Sequence, residues 1–477
     1  MTSTQIDTDV AVIGAGTAGL AAYRAARAAG KRALIIEGGA YGTTCARVGC
    51  MPSKLLIAAA DAAHGVARFE EFGLRLQGPL RVDGPAVMAR VKRERDRFVG
   101  FVLDGVNDMP VADKIRGHAR FVDAHTLQID GQTLVRASSI VIATGSSPSI
   151  PPQLQPLAER AIVNDDVFEW NDLPRSLAVF GPGVIGLELG QALARLGVRV
   201  HAFGRGHGIG PLTDPAIKQY ATETFGGEFR LDPDATVNSV ERSDSGVTVR
   251  FLGRDGREAM ETFDSALAAT GRTPNVGQLD IGNADIALDA KGVPVFDRST
   301  LQCGDSPIFI AGDADADRPL LHEAADEGRI AGDNAARYPG VRASQRRAAL
   351  SVVFTDPNIA LVGGSWNNLQ SADFVTGEVS FEDQGRSRVM LVNKGLMHLY
   401  ADRCSGRFLG AEMIAPRAEH LAHLLAWSVQ AGLTVEQMLA MPFYHPVIEE
   451  GLRTGLRDLA AKLRDARVQS EGPCPGE

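Results

Sequence analysis

Short runs of apolar residues that stop at glycines, each followed by an alanine-rich stretch, set the pattern of this chain. Residues 9–13 are such a run, and residues 32–36 form the next one after an alanine-rich stretch at 20–29. Continuous apolar runs of this length predict buried parallel strands joined by helices. The same order of strand, glycine turn, helix and strand recurs at 176–180, 181–186, 187–196 and 198–203. The pattern predicts an α/β fold with two separate βαβ units.

The first glycine turn has the spacing of a dinucleotide site. Gly14, Gly16 and Gly19 lie between the strand and the helix, and Glu37 ends the following strand. Such glycines let the backbone approach a pyrophosphate at the helix N-terminus, and the acid can accept a hydrogen bond from a ribose hydroxyl. A glycine triplet can also be an ordinary strand-to-helix turn. The terminal acid favours the binding interpretation.

The second turn repeats the glycines as Gly181, Gly183 and Gly186 but lacks the acid. The offset that leads from Gly14 to Glu37 leads from Gly181 to Gly204, and Arg205 follows at once. A missing carboxylate beside a guanidinium favours NADP over NAD, because a 2′-phosphate would be admitted and neutralised. The alternative is that Arg205 is a solvated loop cation.

Other apolar strands end in polar turns and mark further organisation. Residues 139–145 and 266–271 both end in Thr-Gly, and residues 308–313 end in Gly312-Asp313. An acid at the carboxyl end of a strand either binds a ligand or caps the next helix, and both interpretations of Asp313 stay open. From about residue 348 onward shorter strands and two helices predict an α+β domain.

A pair of cysteines, Cys45 and Cys50, precedes a helical run. Metal sites usually have tighter cysteine spacing and a second ligand pair. The helix dipole and Lys54 are expected to lower a thiol pKa here, which favours a reactive thiolate. A disulfide across this spacing needs a distorted turn, which Gly49 and Pro52 could supply. The alternative is a pair of buried, reduced structural cysteines.

Near the other end of the chain, His445 is followed by Pro446 and, further on, by Glu450. An imidazole with a downstream carboxylate can form the base and orienting group of acid–base catalysis. In isolation, a His-Pro in a loop is more often structural.

Composition narrows the class of protein. Apolar residues make up 44% and charged residues 22% of the chain, which is ordinary for a globular protein. The net charge of −9 and pI of about 5.7 argue against a nucleic-acid partner. No long apolar leader and no run of transmembrane length occur, and the five cysteines include one close pair. We expect a cytoplasmic protein without a metal centre.

Two nucleotide units, a Cys-x4-Cys pair and a late histidine with an acid resemble the pyridine nucleotide–disulfide oxidoreductases. The segment from Cys45 to Lys54 is similar to the family's redox-active segment, and His445 with Glu450 to its catalytic base and partner. Within the family the chain is most similar to the dihydrolipoamide dehydrogenases. The resemblance covers roughly residues 9–463 and implies a homodimer in which each chain binds FAD and either NAD or NADP.

The resemblance also implies a role for each site residue. Cys50 faces the flavin, Cys45 exchanges with substrate, and Lys54 pairs with Glu188 beside the flavin. His445 and Glu450 act on the redox pair of the other protomer. The implied FAD contacts are Gly14, Gly16, Thr17, Ala18, Gly19, Glu37, Thr44, Thr144, Gly145, Gly312 and Asp313; the implied NAD(P) contacts are Gly181, Gly183, Gly186, Arg205 and Gly271.

The implied domain order is a split FAD domain around an NAD(P) domain. The expected boundaries are 1–150 for the first part of the FAD domain, 151–271 for the NAD(P) domain, 272–345 for the second part of the FAD domain, 346–466 for the dimerisation domain and 467–477 for a disordered tail.

Four residues depart from the family pattern. Thr43 and Pro182 stand where glycine is usual, Arg47 where asparagine is usual, and Phe443 where a second histidine is usual. These departures affect the substrate and not the redox class. We expect electron transfer between a dihydrolipoamide-like dithiol and NAD(P). The alternative is an NADPH-dependent reductase of another small disulfide, a quinone or a metal ion, and a non-catalytic flavin-binding scaffold is a third possibility.

Overall fold

The computed structural model describes residues 4–253 and 256–469. In these ranges the α-helices are α1 (Thr17–Ala28), α2 (Thr44–Val48), α3 (Cys50–Val66), α4 (Gly84–Asn107), α5 (Asn164–Val167), α6 (Val184–Arg195), α7 (Pro215–Gly226), α8 (Leu321–Arg337), α9 (Trp366–Leu369), α10 (Gly385–Val389), α11 (Ala418–Gln430), α12 (Val435–Leu439) and α13 (Glu450–Gln469).

The strands in the same ranges are β1 (Thr4–Ile13), β2 (Ala33–Glu37), β3 (Lys114–Arg116), β4 (Ala119–Asp123), β5 (Thr126–Ile129), β6 (Thr133–Ile142), β7 (Ser146–Pro148), β8 (Ala161–Ile162), β9 (Ser176–Phe180), β10 (Arg199–Phe203), β11 (Arg230–Asp232), β12 (Val237–Ser243), β13 (Gly246–Leu252), β14 (Glu258–Phe263), β15 (Ser265–Ala268), β16 (Arg272–Pro274), β17 (Ile308–Ile310), β18 (Leu350–Val353), β19 (Asn358–Gly363), β20 (Phe374–Ser380), β21 (Leu396–Asp402) and β22 (Phe408–Ala415).

The described residues form two compact units. The first unit contains the chain up to Pro52 together with 90–149 and 271–346, and the second contains 53–89, 150–270 and the chain from Arg347 onward. Each unit therefore draws on separated stretches of sequence.

A mostly parallel sheet is the centre of the first unit. β1 lies between β2 and β6, β3 follows β2, and β17 pairs with the carboxyl half of β6. β4 and β5 extend the sheet in antiparallel order. β1 begins before the predicted run at residue 9, because Thr4–Thr8 pair with the start of β6. Side chains on both faces of the sheet are buried, which explains the continuous apolar runs.

Helices α1 and α8 pack against each other with almost no side chain between them. A Cβ added at Gly328 would collide with the carbonyl oxygen of Ala18, and one added at Gly332 with that of Ala22. The small residues between these positions complete the contact, including Ala331, which is fully buried. Glycine is required at both positions because the backbones touch.

The second unit contains a parallel sheet and two antiparallel sheets. The parallel sheet has the order β11-β10-β9-β15-β8, so the second predicted βαβ unit lies at its centre. β12, β13 and β14 form a separate antiparallel sheet. The carboxyl-terminal sheet has the antiparallel order β18-β19-β22-β21-β20 and packs against α11 and α13 through a buried apolar core. The predicted α/β fold with a terminal α+β domain is confirmed.

A buried acid on β22 connects this terminal sheet to the loop before α7 in the same unit. The Glu412 carboxylate is fully buried and accepts backbone N–H groups from Thr213 at 2.7 Å, Asp214 at 2.9 Å and Trp366 at 2.8 Å. Three N–H donors satisfy the buried carboxylate, so it fixes the loop that leads into α7.

The sequence-based prediction of a disordered tail from residue 467 begins too early. α13 continues through Gln469, so residues 467–469 are helical, and the rest of the predicted tail lies outside the described residues. The long helix α4 and the sheet β12–β14 were not predicted at all. Over the described ranges, no helix is both long and apolar enough to cross a membrane, and no cluster of potential metal ligands occurs.

The close contact between α1 and α8 predicts an unusual response to alanine. Gly332→Ala should destabilise the protein by about 1–3 kcal/mol, because the added methyl group forces two backbones apart and outweighs the gain in helix propensity. Thermal unfolding measures the effect. Gly100→Ala is the matched control, since Gly100 lies within α4 with open space around it. The Gly100→Ala change should leave the melting temperature unchanged or raise it. Equal shifts in melting temperature for the two variants would contradict a close backbone contact between α1 and α8.

Candidate active site

The first glycine turn forms a tight bend between β1 and α1. Gly14 has φ +104° and donates its N–H to the Ile36 carbonyl at 2.7 Å, while a Cβ at this position would collide with the Ala143 carbonyl. Gly16 precedes α1 as its N-cap, and nothing lies within 4 Å of the position of its missing Cβ. The first turn of α1, which includes Thr17 and Ala18, therefore presents its N-terminus to an open cradle that suits a pyrophosphate.

Glu37 ends β2 beside this turn, as the sequence predicts. One carboxylate oxygen accepts the Ala15 N–H at 2.7 Å, and the other accepts the Gly39 N–H at 2.6 Å. These bonds fix the carboxylate and leave lone pairs on both oxygens. The acid is therefore held ready to accept a hydrogen bond from a ribose hydroxyl.

A second set of polar groups in the first unit surrounds the turn after β17. Asp313 accepts a hydrogen bond from the Ser146 hydroxyl at 2.7 Å, and Arg272 donates to the same hydroxyl at 2.7 Å. The Thr144 hydroxyl is buried and has no hydrogen-bond partner among the described residues. A buried orphan hydroxyl calls for a polar ligand or water. With the open cradle at Gly16, it makes this unit fit a dinucleotide such as FAD.

Several of these residues could not be recognised as site residues in the sequence. Ser146 and Arg272 come from β7 and β16, which pair in antiparallel order at the point where the chain leaves and re-enters the first unit. Gly145 also lies here, and its carbonyl accepts the Asn275 N–H at 2.9 Å. The repeated Thr-Gly ends of the strands were the available signal for this pairing.

The cysteine segment is split into two helices. Cys45 is half-buried in the short α2, and Cys50 is exposed as the first residue of α3. Between them, Gly49 turns the chain back, so that a Cβ on Gly49 would lie only 3.1 Å from the Cys45 Cα. Gly49 itself, at φ −127° and ψ −117°, leaves the helical path and separates α2 from α3. Pro52 lies in the first turn of α3, where proline is tolerated.

Thr43 and Arg47, two of the departures from the family pattern, shape the same segment. Thr43 adopts φ +58° and ψ +148°, at the edge of a region that is almost exclusive to glycine, and its hydroxyl accepts the Ala46 N–H at 3.3 Å. Arg47 folds back until its guanidinium lies 3.5 Å from the Ala40 carbonyl oxygen. The chain thus keeps a strained turn where a glycine would be relaxed.

Lys54 and Glu188 form an ion pair within the second unit. The ammonium lies 2.7 Å from one oxygen of Glu188, and the other oxygen accepts the Phe354 N–H at 2.9 Å. The Lys54 ammonium also lies 4.6 Å from the centre of the Phe354 ring. Glu188 is buried, so the pair is fixed in position and carries a charge-assisted hydrogen bond.

The second glycine turn repeats the first. Gly181 has φ +100° and bonds to the Phe203 carbonyl at 2.8 Å, and a Cβ on Gly186 would collide with the Gly181 carbonyl. Gly183 is the N-cap of α6 and has open space around it. The helix N-terminus of α6 is therefore as accessible to a pyrophosphate as that of α1.

Steric crowding explains why the second turn has no acid. Gly204 is buried, and a Cβ there would lie 2.5 Å from the Pro233 carbonyl oxygen and 2.8 Å from Pro182. A glutamate does not fit at this position. An acid lies two residues after the neighbouring strand β11: Asp234 accepts the Gly206 N–H at 2.7 Å and lies 3.3 Å from the His207 imidazole. Arg205 is exposed beside it.

Gly271, the remaining residue predicted to contact NAD(P), belongs to the first unit. Its carbonyl accepts the Ser149 N–H at 3.0 Å, and its φ of +109° favours glycine. This bond closes the base of the strand pair β7–β16. The predicted nucleotide contact of Gly271 stays a prediction.

His445 and Glu450 are paired in the second unit. Nδ1 of His445 lies 3.0 and 3.1 Å from the two carboxylate oxygens of Glu450, which also accepts the Val447 N–H. The imidazole bond and the N–H together hold the pKa of Glu450 below its usual range. The imidazole side chain is 81% exposed, so Nε2 is available to a substrate. A carboxylate that orients Nδ1 leaves Nε2 as the proton acceptor.

The strain at Thr43 predicts a stabilising glycine substitution. Thr43→Gly should raise the free energy of unfolding by about 1 kcal/mol, because relief of the backbone strain exceeds the loss of the hydroxyl cap and the entropy cost of glycine. Thermal unfolding of the variant measures this. Thr44→Gly is the control, since Thr44 does not adopt a positive φ, so glycine there relieves no strain and should not stabilise the protein. A Thr43→Gly variant that melts below the parent protein would contradict the strained turn.

Comparison with known proteins identifies the family of the chain. Residues 8–328 match the family model "Pyridine nucleotide-disulphide oxidoreductase", and residues 350–455 match the dimerisation domain of the same family. The second match supports a homodimer.

Individual relatives cover nearly the whole chain. A dihydrolipoyl dehydrogenase of Haloferax volcanii is 31% identical over 93% of this chain and 94% of its own length. A mercuric reductase of Acidithiobacillus ferrooxidans is 30% identical over 98% of this chain and 84% of its own. The crystal structure of LpdA from Mycobacterium tuberculosis has a TM-score of 0.80 and 26% identity, covering 95% of this chain and 99% of that one. This chain belongs to the pyridine nucleotide–disulfide oxidoreductase family, the flavoproteins that use FAD and NAD(P)H.

Proposed function

We propose that this protein passes electrons between a dihydrolipoamide-like dithiol and NAD(P) through a redox disulfide of Cys45 and Cys50. The observation that supports this most directly is the turn at Gly49, which brings the chain before Cys50 back against Cys45. The identity to a dihydrolipoyl dehydrogenase supports the choice of substrate class. The family membership supports only the broader class of oxidoreductases acting on sulfur groups.

The chemistry follows from the residues of the chain. His445 accepts a proton from a substrate thiol at Nε2 while Glu450 holds Nδ1, and the thiolate attacks the Sγ of Cys45. The Cys45–Cys50 bond breaks, and Cys50 leaves as a thiolate. The second substrate thiol then displaces Cys45, so that the substrate becomes a disulfide and the protein pair becomes reduced. Bound FAD supplies the route by which the electron pair reaches NAD(P).

The partner for His445 is a second copy of the chain in this proposal. The terminal domain carries exposed apolar side chains, such as Trp427 at 68% and Tyr444 at 80% exposure, and these suit a contact between protomers. His445 of one protomer then serves the cysteine pair of the other. Lys54 and Glu188 form a fixed ion pair that lies beside the flavin of the same chain in this proposal.

A second candidate function is an NADPH-dependent reductase of another small disulfide, a quinone or a metal ion. The crowding at Gly204 favours it, because the acid that would bind the ribose of NAD does not fit there, and Arg205 is exposed nearby. The identity to a mercuric reductase also supports this candidate. Both candidates use the same cysteine pair and differ in the substrate and in the direction of electron flow.

The proposed role of Arg205 in binding the 2′-phosphate of NADPH can be tested by substitution. Arg205→Met should raise the KM for NADPH by about 10-fold or more, because one charge-assisted bond to the 2′-phosphate is lost, and should leave the KM for NADH unchanged. Arg250→Met is the matched control, since Arg250 is an exposed arginine on β13. Steady-state kinetics with both nucleotides measure the effect. An equal change in KM for NADH and NADPH would show that Arg205 does not bind the 2′-phosphate.

The redox role is tested with anaerobic turnover of dihydrolipoamide. Cys45→Ser and Cys50→Ser should each abolish dithiol-dependent reduction of NAD(P), and His445→Gln should lower kcat about 10²–10⁴-fold through loss of the base. Cys303→Ala is the control and should keep full activity, because burial raises the pKa of Cys303 to about 12 and leaves it unreactive.

The outcomes separate the candidates. Oxidation of dihydrolipoamide that depends on both cysteines supports the first candidate. NADPH-dependent reduction of a disulfide, a quinone or a metal ion, without oxidation of dihydrolipoamide, supports the second. Full turnover by Cys45→Ser would refute the assignment of Cys45 and Cys50 in both.

A further inference from the structure

A buried acid that the sequence analysis did not single out holds the turn that carries Asp313. Glu327 lies on α8 and is fully buried. One of its oxygens accepts the Gly312 N–H at 2.8 Å, and the other accepts a guanidinium N–H of Arg346 at 2.5 Å. Gly312 has φ +71°, and a Cβ there would lie 2.9 Å from the Ala18 side chain. The position of the Gly312–Asp313 turn therefore depends on the Glu327 carboxylate.

Asp315 follows in the same turn and has one unsatisfied oxygen. Its Oδ1 accepts the Asp317 N–H at 2.8 Å, whereas its Oδ2 is buried without a hydrogen-bond partner among the described residues. The residue as a whole is only 5% exposed. A buried carboxylate oxygen without a donor is strongly unfavourable, and a proton on that oxygen removes the difficulty. The neighbouring acid is Glu327, which lies on the helix that packs against this turn and already binds the Gly312 N–H.

The charges that face Asp315 leave it without a cation. Arg346, from the segment after α8, binds both Glu323 and Glu327, and Arg318 binds Glu323. In the remaining surroundings, Asp317 pairs with Arg298, and Cys303 is a buried thiol whose pKa is raised to about 12. The two arginines are matched by Glu323 and Glu327. Neutrality of the buried cluster then requires a proton on Asp315.

We propose that Asp315 and Glu327 share one proton, with Asp315 donating to Glu327, and that this proton positions the Gly312–Asp313 turn for binding FAD. Asp315 is then a positioning residue that acts through Glu327 and the Gly312 N–H. The inference rests on the proposed contact between Asp313 and FAD. Loss of the proton would place two negative carboxylates against each other and weaken the hold of Glu327 on the turn.

The pair makes FAD binding sensitive to pH. Burial first, and the neighbouring Glu327 charge second, raise the pKa of Asp315 to about 8. A folded-state pKa above the unfolded value of 3.8 means that the stabilisation is complete below about pH 4 and is lost as the pH rises through about 8. FAD affinity, which depends on the folded turn, should fall over the upper end of this range.

The test measures release of FAD from the holoenzyme by recovery of flavin fluorescence after dilution. The dissociation constant of the parent protein should rise about 10-fold or more between about pH 6 and about pH 10. Asp315→Asn should remove that rise, because the amide keeps both contacts: its oxygen accepts the Asp317 N–H and its NH₂ donates to Glu327. Asp333→Asn is the control, since Asp333 lies on α8 with Glu327 but pairs with Arg329 near the surface, and it should keep the parental pH dependence.

Infrared difference spectra between the same two pH values give a second measurement. The parent protein should lose the carbonyl band of a protonated carboxylic acid on going to high pH, and Asp315→Asn should lack this change. A parental affinity that does not vary with pH, or an equal pH dependence in Asp315→Asn, would overturn the inference while leaving the FAD site intact. Failure of the protein to bind FAD at any pH would overturn the site assignment and this inference together.

Discussion

The direct contact between the backbones of α1 and α8 is the constraint on which the first unit depends. α1 presents its N-terminus to the proposed pyrophosphate site, and α8 carries the acid that holds the Gly312–Asp313 turn. Gly328 and Gly332 allow the two helices to touch over two successive turns. Because close-packed interiors transmit small shifts, a change at this contact would move both ends of the dinucleotide site at once. The turn is therefore positioned by packing as well as by its own hydrogen bonds.

The two βαβ units have the same glycine turn but differ in the side chain that fits after the second strand. In the first unit the strand ends at Glu37, which two backbone N–H groups hold in place. In the second unit the corresponding Gly204 is enclosed by Pro233 and Pro182. Pro182, which looked like a departure from a motif in the sequence, is thus part of the reason that no acid occurs there. The absence of an acid at this position therefore follows from packing between neighbouring loops.

The strands, the glycine turns and the two βαβ units could be predicted from the sequence because each depends on residues close together in the chain. The sheet of β12–β14 was missed although β13 alternates between apolar and polar residues from Val247 to Phe251, because its two partner strands are mostly polar and half-exposed. Helix α4 was missed because its charged residues hide a narrow apolar face. Glu327 and Ser146 were missed for another reason: each acts on a turn that is distant in sequence or belongs to another element. The role of such residues arises only when the fold brings them together.

Two residues at the proposed redox and cofactor sites have unfavourable local environments. Thr43 adopts a backbone conformation suited to glycine just before the cysteine pair, and Asp315 is buried without a cation just after Asp313. Natural chains keep such local costs mainly where function requires them. At Thr43 the unfavourable free energy comes from backbone strain. At Asp315 it comes from burial of a carboxyl group, which the proposed proton offsets. Both costs fall on turns, because a turn has enough freedom to adopt a strained state and the sheet behind it is rigid enough to maintain that state.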